Sequence, residues 1–355
     1  MKRSSAISSS ELWFFKYYRL VHSARIAVAF VLMFAATRTL DLHDITWPLI
    51  TLVVVMGPIS YWGNVFPRAI QRISGTCIGA LSGIVALYLE TISIPLLMVW
   101  CSAVMFVCGY LALGKQPYAG LLIGITLAVV LGAHEGSFTQ ALWRSGDVVL
   151  GSAVALFFCS IFPQRAFIHW RLKLSDNLLE ISKVHHTLLS PNMVERPNIQ
   201  SKQDQLRRNI IGSRSLLSAA SAETKLNLSL LSRIQTGIVN SLYAIERLSD
   251  TYWSDRKSHF TLLNSSALKE CHQATESMII QLSEMIKTGK VEADEWQFDN
   301  INEVIEELQV LAKANQVQSQ ASLYGYVWLS IQLMEEISRL HKLIALALNL
   351  TSKAR

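Results

Sequence analysis

Arg72 and Arg144 each stand seven residues ahead of a glycine, Gly79 and Gly151, inside stretches that otherwise almost forbid charge. A guanidinium keeps its proton in any protein environment, so one held in an apolar segment stays positive and attracts anions. Asp147 follows Arg144 by three residues, which puts both side chains on one face of a helix. There they would pair, either as a helix-locking ion pair or as an anion gate whose Arg is released by substrate or a proton. Gly57-Pro58 lies inside another apolar run. Proline there removes a backbone bond, and with its glycine neighbour it would kink or interrupt a helix, leaving polar backbone that must face protein or a water-filled cavity. The chemistry implied is the capture and passage of a negative solute. No nucleophile–base arrangement, Walker loop, HExxH or GxSxG element is found, so the expectation is no enzyme, no catalytic residue and no cofactor.

The elements that must hold these residues follow from the sorting of the carboxylates. Of 26 Asp and Glu, 6 lie in residues 1–163 and 20 in 164–355. Charge at a bilayer centre costs about 2.5–3.5 kcal/mol per residue, so this depletion marks a membrane-embedded half followed by an aqueous one. A helix needs about 20 apolar residues to cross roughly 30 Å of hydrocarbon. The uncharged runs predict six crossings, near 20–40, 46–63, 72–90, 94–113, 117–134 and 143–162, in a transmembrane domain over 1–163. Pro48, Pro95 and Pro117 open predicted helices, and Trp47, Trp62 and Trp143 sit at predicted ends. Basic residues, Arg25, Arg68 and Arg72 among them, gather on the side that carries the N-terminus, whereas the other side receives only Arg38 and Arg144. That asymmetry predicts a multi-pass protein of the bacterial inner membrane with both termini cytoplasmic. No cleavable signal is recognised, so the first helix is expected to stay in the protein.

The net charge of +6 does not indicate nucleic acid, because residues 164–355 are nearly balanced, with 22 Lys and Arg against 20 Asp and Glu. This second half, 164–355, reads as a cytoplasmic helical bundle, with periodic segments near 198–220, 226–253, 262–288, 298–316 and 323–350. The stripe Ile301, Val304, Ile305, Leu308 and Leu311 typifies them. His185-His186 has no ligand-spaced partner, and none of the five cysteines belongs to a CxxC or CxxH element, so neither metal nor disulfide is expected. Tyr324-Gly325-Tyr326-Val327-Trp328 reads as core opening an apolar helix. Lys202, Arg207, Arg208 and Arg214 read as a solvated face that beside a bilayer would contact anionic lipid.

The membrane half also reads as two copies of three helices. Trp47-Pro48 and Gln116-Pro117 each open the second helix of a triplet, and Arg72 with Gly79, like Arg144 with Gly151, opens the third. An odd number of crossings per copy forces opposite orientations, the inverted repeat found in many transporters. Gly75, Gly79 and Gly83, spaced by four, mark a close-packing face, and Gly151 takes the corresponding place. The fold class is therefore all-α.

Trp47-Pro-Leu-Ile-Thr51, Gly57-Pro58, Arg68 and Arg72-x-x-Gly75-Thr76-x-x-Gly79 resemble the fusaric acid resistance protein-like family of bacterial inner-membrane proteins, in the aromatic acid exporter superfamily. The resemblance implies efflux of aromatic carboxylates and places Arg72, Gly75, Thr76 and Gly79 in a functional core. Many such exporters carry two membrane modules where this chain has one. Six helices plus a helical cytosolic domain are also similar to the plant aluminium-activated malate transporters, which implies a homodimer. The expectation is an efflux permease for organic, foremost aromatic, carboxylate anions, in contact with membrane lipids. The anion pathway would use Arg72, Arg144, Asp147, Gly57, Pro58 and Thr76. Its rivals are a passive anion channel and a membrane-anchored interaction protein that transports nothing.

Overall fold

The computed structural model describes residues 9–39, 46–57, 61–114, 116–132, 138–161, 163–190, 195–254, 266–291 and 320–353, with single positions 7, 193, 306 and 310. The regular secondary structure among the described residues is helical, apart from one isolated parallel bridge between Tyr61 and Gln164. It divides into two compact units, Trp13–Arg165 and Met1–Leu12 with Ala166–Arg355.

After α1 (Ser9–Lys16), the apolar unit contains α2 (Tyr18–Thr39), α3 (Thr46–Met56), α4 (Trp62–Ile92), α5 (Ile94–Ala112), α6 (Pro117–Gly132) and α7 (Phe138–Ile161). Among the described residues, three stretches are long and apolar enough to cross a membrane: Tyr18–Thr39, Gly63–Ile92 and Ile94–Ala112. Thr46–Met56, Pro117–Gly132 and Gly146–Ile161 are apolar but shorter.

Two expected boundaries are corrected. The second helix does not run through 63: of the two outcomes expected at Gly57-Pro58, a kink or an interruption, the structure shows the interruption, with the helix ending at Met56 and Gly57 capping it in the left-handed region at φ 56°. Gly57 N–H donates to the Val53 carbonyl, closing the cap that a residue with a Cβ adopts only under strain. At about 1.5 Å per residue, 11 residues reach only about 17 Å. The third helix begins at Trp62 rather than 72, so its 31 residues contain Pro67, Arg68 and Arg72. An uncharged stretch that stays apolar across a glycine cap has no polar punctuation, which is why the expected helix was carried on to 63. Pro58 lies outside the described residues.

Ser93 alone joins α4 to α5: it is extended, its N–H donates to the Leu89 carbonyl, and Pro95 opens the next helix without losing a needed donor. The glycines of α4 then set the next contact. A Cβ on Gly75 would meet Leu122 and Ala119, one on Gly79 would meet Thr126 and Ile123, and one on Gly83 would meet Val130. These contacts climb both helices together, so α4 and α6 run parallel. A second core joins Ala29 and Met33 of α2, Leu52, Val55 and Met56 of α3, Val65 and Ala69 of α4, and Ala155 and Cys159 of α7.

The second unit holds α8 (Ala166–Leu188), α9 (Gln200–Gly212), a 3-10 turn (Ser213–Leu216), α10 (Leu217–Thr224), α11 (Leu228–Tyr252), α12 (Ser266–Thr288) and α13 (Gln320–Lys353). Helix α8 packs against α9, α10 and α12, and α11 against α13. The expected helix 298–316, with its Ile301 to Leu311 stripe, lies outside the described residues save positions 306 and 310. Several buried polar groups are partnered across helices here. Arg171 donates from Nε and Nη2 to the Ile286 carbonyl at 2.9 and 2.6 Å. Gln235 accepts from Trp170 Nε1 and donates to the Ile210 carbonyl and Ser213 Oγ. His186 is exposed against Glu276 at 3.2 Å, whereas its neighbour His185 is buried. Of the aromatic cluster, Tyr326 and Val327 are core while Tyr324 and Trp328 are exposed.

Candidate functional site

The starts of α2 and α4 and the ends of α3 and α7 meet at one end of the apolar unit. Gln164 donates to the Tyr18 carbonyl and bridges Tyr61, and His22 contacts the Gly57 carbonyl. The same end collects the cations. Arg72, on the third turn of α4, is 6% exposed, and its Nη2 donates to Thr51 Oγ1 of α3 at 3.3 Å. Its Nε is buried with no hydrogen-bond partner. The Tyr118 hydroxyl of α6 is buried beside it, within electrostatic reach of Arg68 as well. Arg68 sits one helical turn before Arg72. A methyl on Gly57 would fall 2.5 Å from Arg68 Nη1, so this guanidinium lies against the backbone of the α3 cap. Among the described residues neither Arg68 nor Arg72 has a carboxylate partner.

Arg25, on α2, is also buried, next to Cys159 of α7. Its Nη2 donates to His22 Nδ1 at 3.0 Å, and His22 Nε2 lies 2.9 Å from the Gly57 carbonyl. A guanidinium offers only donors, so Nδ1 must accept and Nε2 must carry the proton. His22 is thereby held neutral, as a single tautomer, between a cation and a helix cap. A ligand reaching this end would meet three guanidiniums, a threonine and a phenol, which is a setting for an anion.

The expected site residues fall into two groups. Arg72, Gly57 and Thr76 belong to α4 and the α3 cap at or near this end, with Thr76 buried one turn beyond Arg72. Asp147 is buried on α7, while the side chain of Arg144 lies outside the described residues, so their pairing is not described. Gly151 lies against α3: a Cβ there would fall 2.5 Å from the Pro48 carbonyl and 2.9 Å from Thr51 Cβ. Gly79 makes the matching approach to α6, 2.8 Å from the Ile123 carbonyl and 2.6 Å from Thr126 Cβ. Missed in the sequence were His22 and Tyr118; Thr51 entered only as part of the family motif, as did Arg68, and Arg25 and Arg68 were otherwise read as part of the basic bias on the N-terminal side. The legible signals were the i, i+3 spacing of His22 and Arg25 in an apolar helix and the i, i+4 spacing of Arg68 and Arg72.

Similarity to known proteins supplies the context for this geometry. Residues 26–158 match the family described as fusaric acid resistance protein-like. The chain is also 43% identical over 350 residues to the inner membrane protein YeeA of Escherichia coli strain K12, covering 98% of this chain and 99% of that protein. The chain belongs to the fusaric acid resistance protein-like family. It is a membrane protein of a transporter-like family, and the matched region contains Arg68 and Arg72 of the basic end and starts one residue after Arg25.

Proposed function

We propose that this chain is a permease of the bacterial inner membrane that exports organic, foremost aromatic, carboxylate anions. The observation that carries the reading is Arg72, a guanidinium 6% exposed in an apolar unit, held by one neutral hydroxyl and with Nε open. A buried charge without a counterion is costly, and a carboxylate that completes its hydrogen bonds lowers that cost. Arg68 one turn away adds a second positive group, and two guanidiniums so placed favour an anion between them. The Gly57-Pro58 break shapes this end, Thr76 lines α4 beyond it, and Arg144 with Asp147 forms the outer gate.

Six crossings in two inverted triplets, N-terminus and C-terminus cytoplasmic, and a cytoplasmic bundle over 164–355 complete the reading. Support for the repeat comes from the contacts of Gly79 with Ile123 and Thr126, which mirror those of Gly151 with Pro48 and Thr51. Those sets pair Pro48 with Ile123, a register six residues away from the Pro48–Pro117 match read in the sequence. A homodimer supplies the second membrane module.

The test is export of 4-hydroxybenzoate from cells producing wild type, Arg72→Gln and Arg144→Gln at equal membrane levels. Undiminished export by both variants removes these residues from the mechanism. Flux that follows the electrochemical gradient regardless of the proton gradient turns the permease into a channel.

A further inference from the structure

We infer that the outward face of α13 is a surface on which two copies of this chain join, their helices antiparallel about a twofold axis beside Ile337. It rests on the homodimer proposed above and gives that dimer a surface. The inward face of α13, with Leu333, Met334, Ile337, Leu340 and Ile344, is buried, and Leu340 lies on Gly237 of α11. The outward face runs through positions 324, 328, 331, 335, 339, 342, 346 and 350, in steps of four and three that keep to one side of a helix. A bundle helix ordinarily turns polar residues outward there. In α13 both ends of that face are apolar and open: Tyr324 and Trp328 are 44% and 59% exposed at one end, and Leu346 and Leu350 are 49% and 42% exposed at the other. The middle is polar, with Gln332, Glu335, Arg339 and Lys342 exposed.

The order of residue types along this face selects a second copy as the partner. When another α13 is laid on it end for end about position 337, Tyr324 meets Leu350, Trp328 meets Leu346, Ile331 meets Leu343 and Glu335 meets Arg339. The twofold axis makes each of these contacts twice. Sliding the pair by one turn sets Glu335 on Glu335 in one direction and Arg339 on Arg339 in the other, so like charges oppose the neighbouring registers. A parallel pair sets both clashes at once. The two charges are open to a partner. Glu335 accepts from Gln332 Nε2 at 3.2 Å and has no ion pair among the described residues. Arg339 reaches Glu336 at 3.3 Å with its side chain 69% exposed. From Tyr324 to Leu350 the seam extends over about seven turns, roughly 39 Å. Its apolar ends supply the attraction, and its charged centre fixes direction and register.

The experiment measures the mass of the full chain in detergent across a dilution series and its cross-linking in the membrane. Wild type is expected to be a dimer. Glu335→Arg and Arg339→Glu each set like charges across the seam twice, and each is expected to raise the dimer dissociation constant by about tenfold or more with helicity unchanged. The double exchange, Glu335→Arg with Arg339→Glu, restores opposite charges and is expected to return it to within about threefold of wild type. Trp328→Cys on one tagged copy and Leu346→Cys on another, produced together, are expected to form a disulfide between the copies under mild oxidation. Trp328→Cys alone is expected to add no cross-link to the wild-type pattern, because the two copies of that position lie roughly 27 Å apart along the seam. A dimer that ignores both reversals and gives no mixed cross-link is joined by another surface, which overturns this inference and leaves the homodimer standing. Failure of the double exchange to restore the dimer overturns the antiparallel pairing. A monomeric wild type overturns this inference and the homodimer together.

Discussion

Arg171 and Arg72 are both buried guanidiniums, 4% and 6% exposed, but they are satisfied in different ways. In the second unit, Arg171 places two N–H groups on one backbone carbonyl and stacks over Phe167. In the apolar unit, Arg72 has one hydroxyl and an open Nε. The first arrangement ties α8 to α12 and is complete as it stands. The second leaves one donor of a buried guanidinium unbonded beside the Tyr118 hydroxyl, and on the proposed reading that donor serves the transported anion.

The comparison breaks if close packing in the apolar unit is dispensable. Gly79→Leu pushes atoms into Thr126 and the Ile123 carbonyl and is expected to cost more than the usual ~1–3 kcal/mol of overpacking, leaving little folded protein after detergent extraction. Gly146→Ala, with open space around it, should extract like wild type.

Arg171→Met comes next. Losing the link to Ile286 and stranding that buried carbonyl is expected to destabilise the second unit by about 2–3 kcal/mol, read as a lower urea midpoint. Arg72→Gln should do the opposite in kind, reducing export at least about tenfold while shifting the thermal midpoint hardly at all, because it removes a charge that was only partly satisfied. If both variants lose stability equally, the distinction fails.

A pH series sharpens the contrast further. Burial pushes His185 down to about 3, helped by His272 and His186 nearby, and pushes His272 down to about 4. The folded state binds fewer protons than the unfolded chain below the ordinary histidine value of about 6.5, so stability is full above that pH and lost as pH falls from there toward 4. The loss is about 2 kcal/mol per histidine by pH 5, measured as a falling melting midpoint. His272→Gln, which can still bond Tyr326, should flatten the slope. The smallest effect belongs to the rim: Glu246→Ala removes a part-exposed partner of Arg207 and should cost under about 1 kcal/mol.

Much of the helical pattern was legible, because apolar runs bounded by charge and proline reflect a solvent, and solvent is written in composition. The boundaries of α5 and α6 were read nearly as they stand, Ile94–Ala112 and Pro117–Gly132 against 94–113 and 117–134. The α3 terminus was legible only in part: Gly57-Pro58 announced a kink or an interruption, but an apolar run that continues past it carries no polarity signal to say which. Arg72 was legible as a charge out of place. Its partners were not, because Thr51 and Tyr118 are ordinary residues 21 and 46 positions away that matter only through the packing of α3 and α6 on α4.

Residue types and spacing alone determined that the described chain is mainly helical, that carboxylates are sparse in its first half, and that Arg72 would keep its proton wherever it lay. Only the tertiary structure decided that Arg72 points inward rather than toward headgroups and that His22 is clamped between Arg25 and Gly57. The reason is range. Solvent preference and helix periodicity act over a few turns, whereas a binding site is made by side chains from separate helices whose meeting is set by close packing.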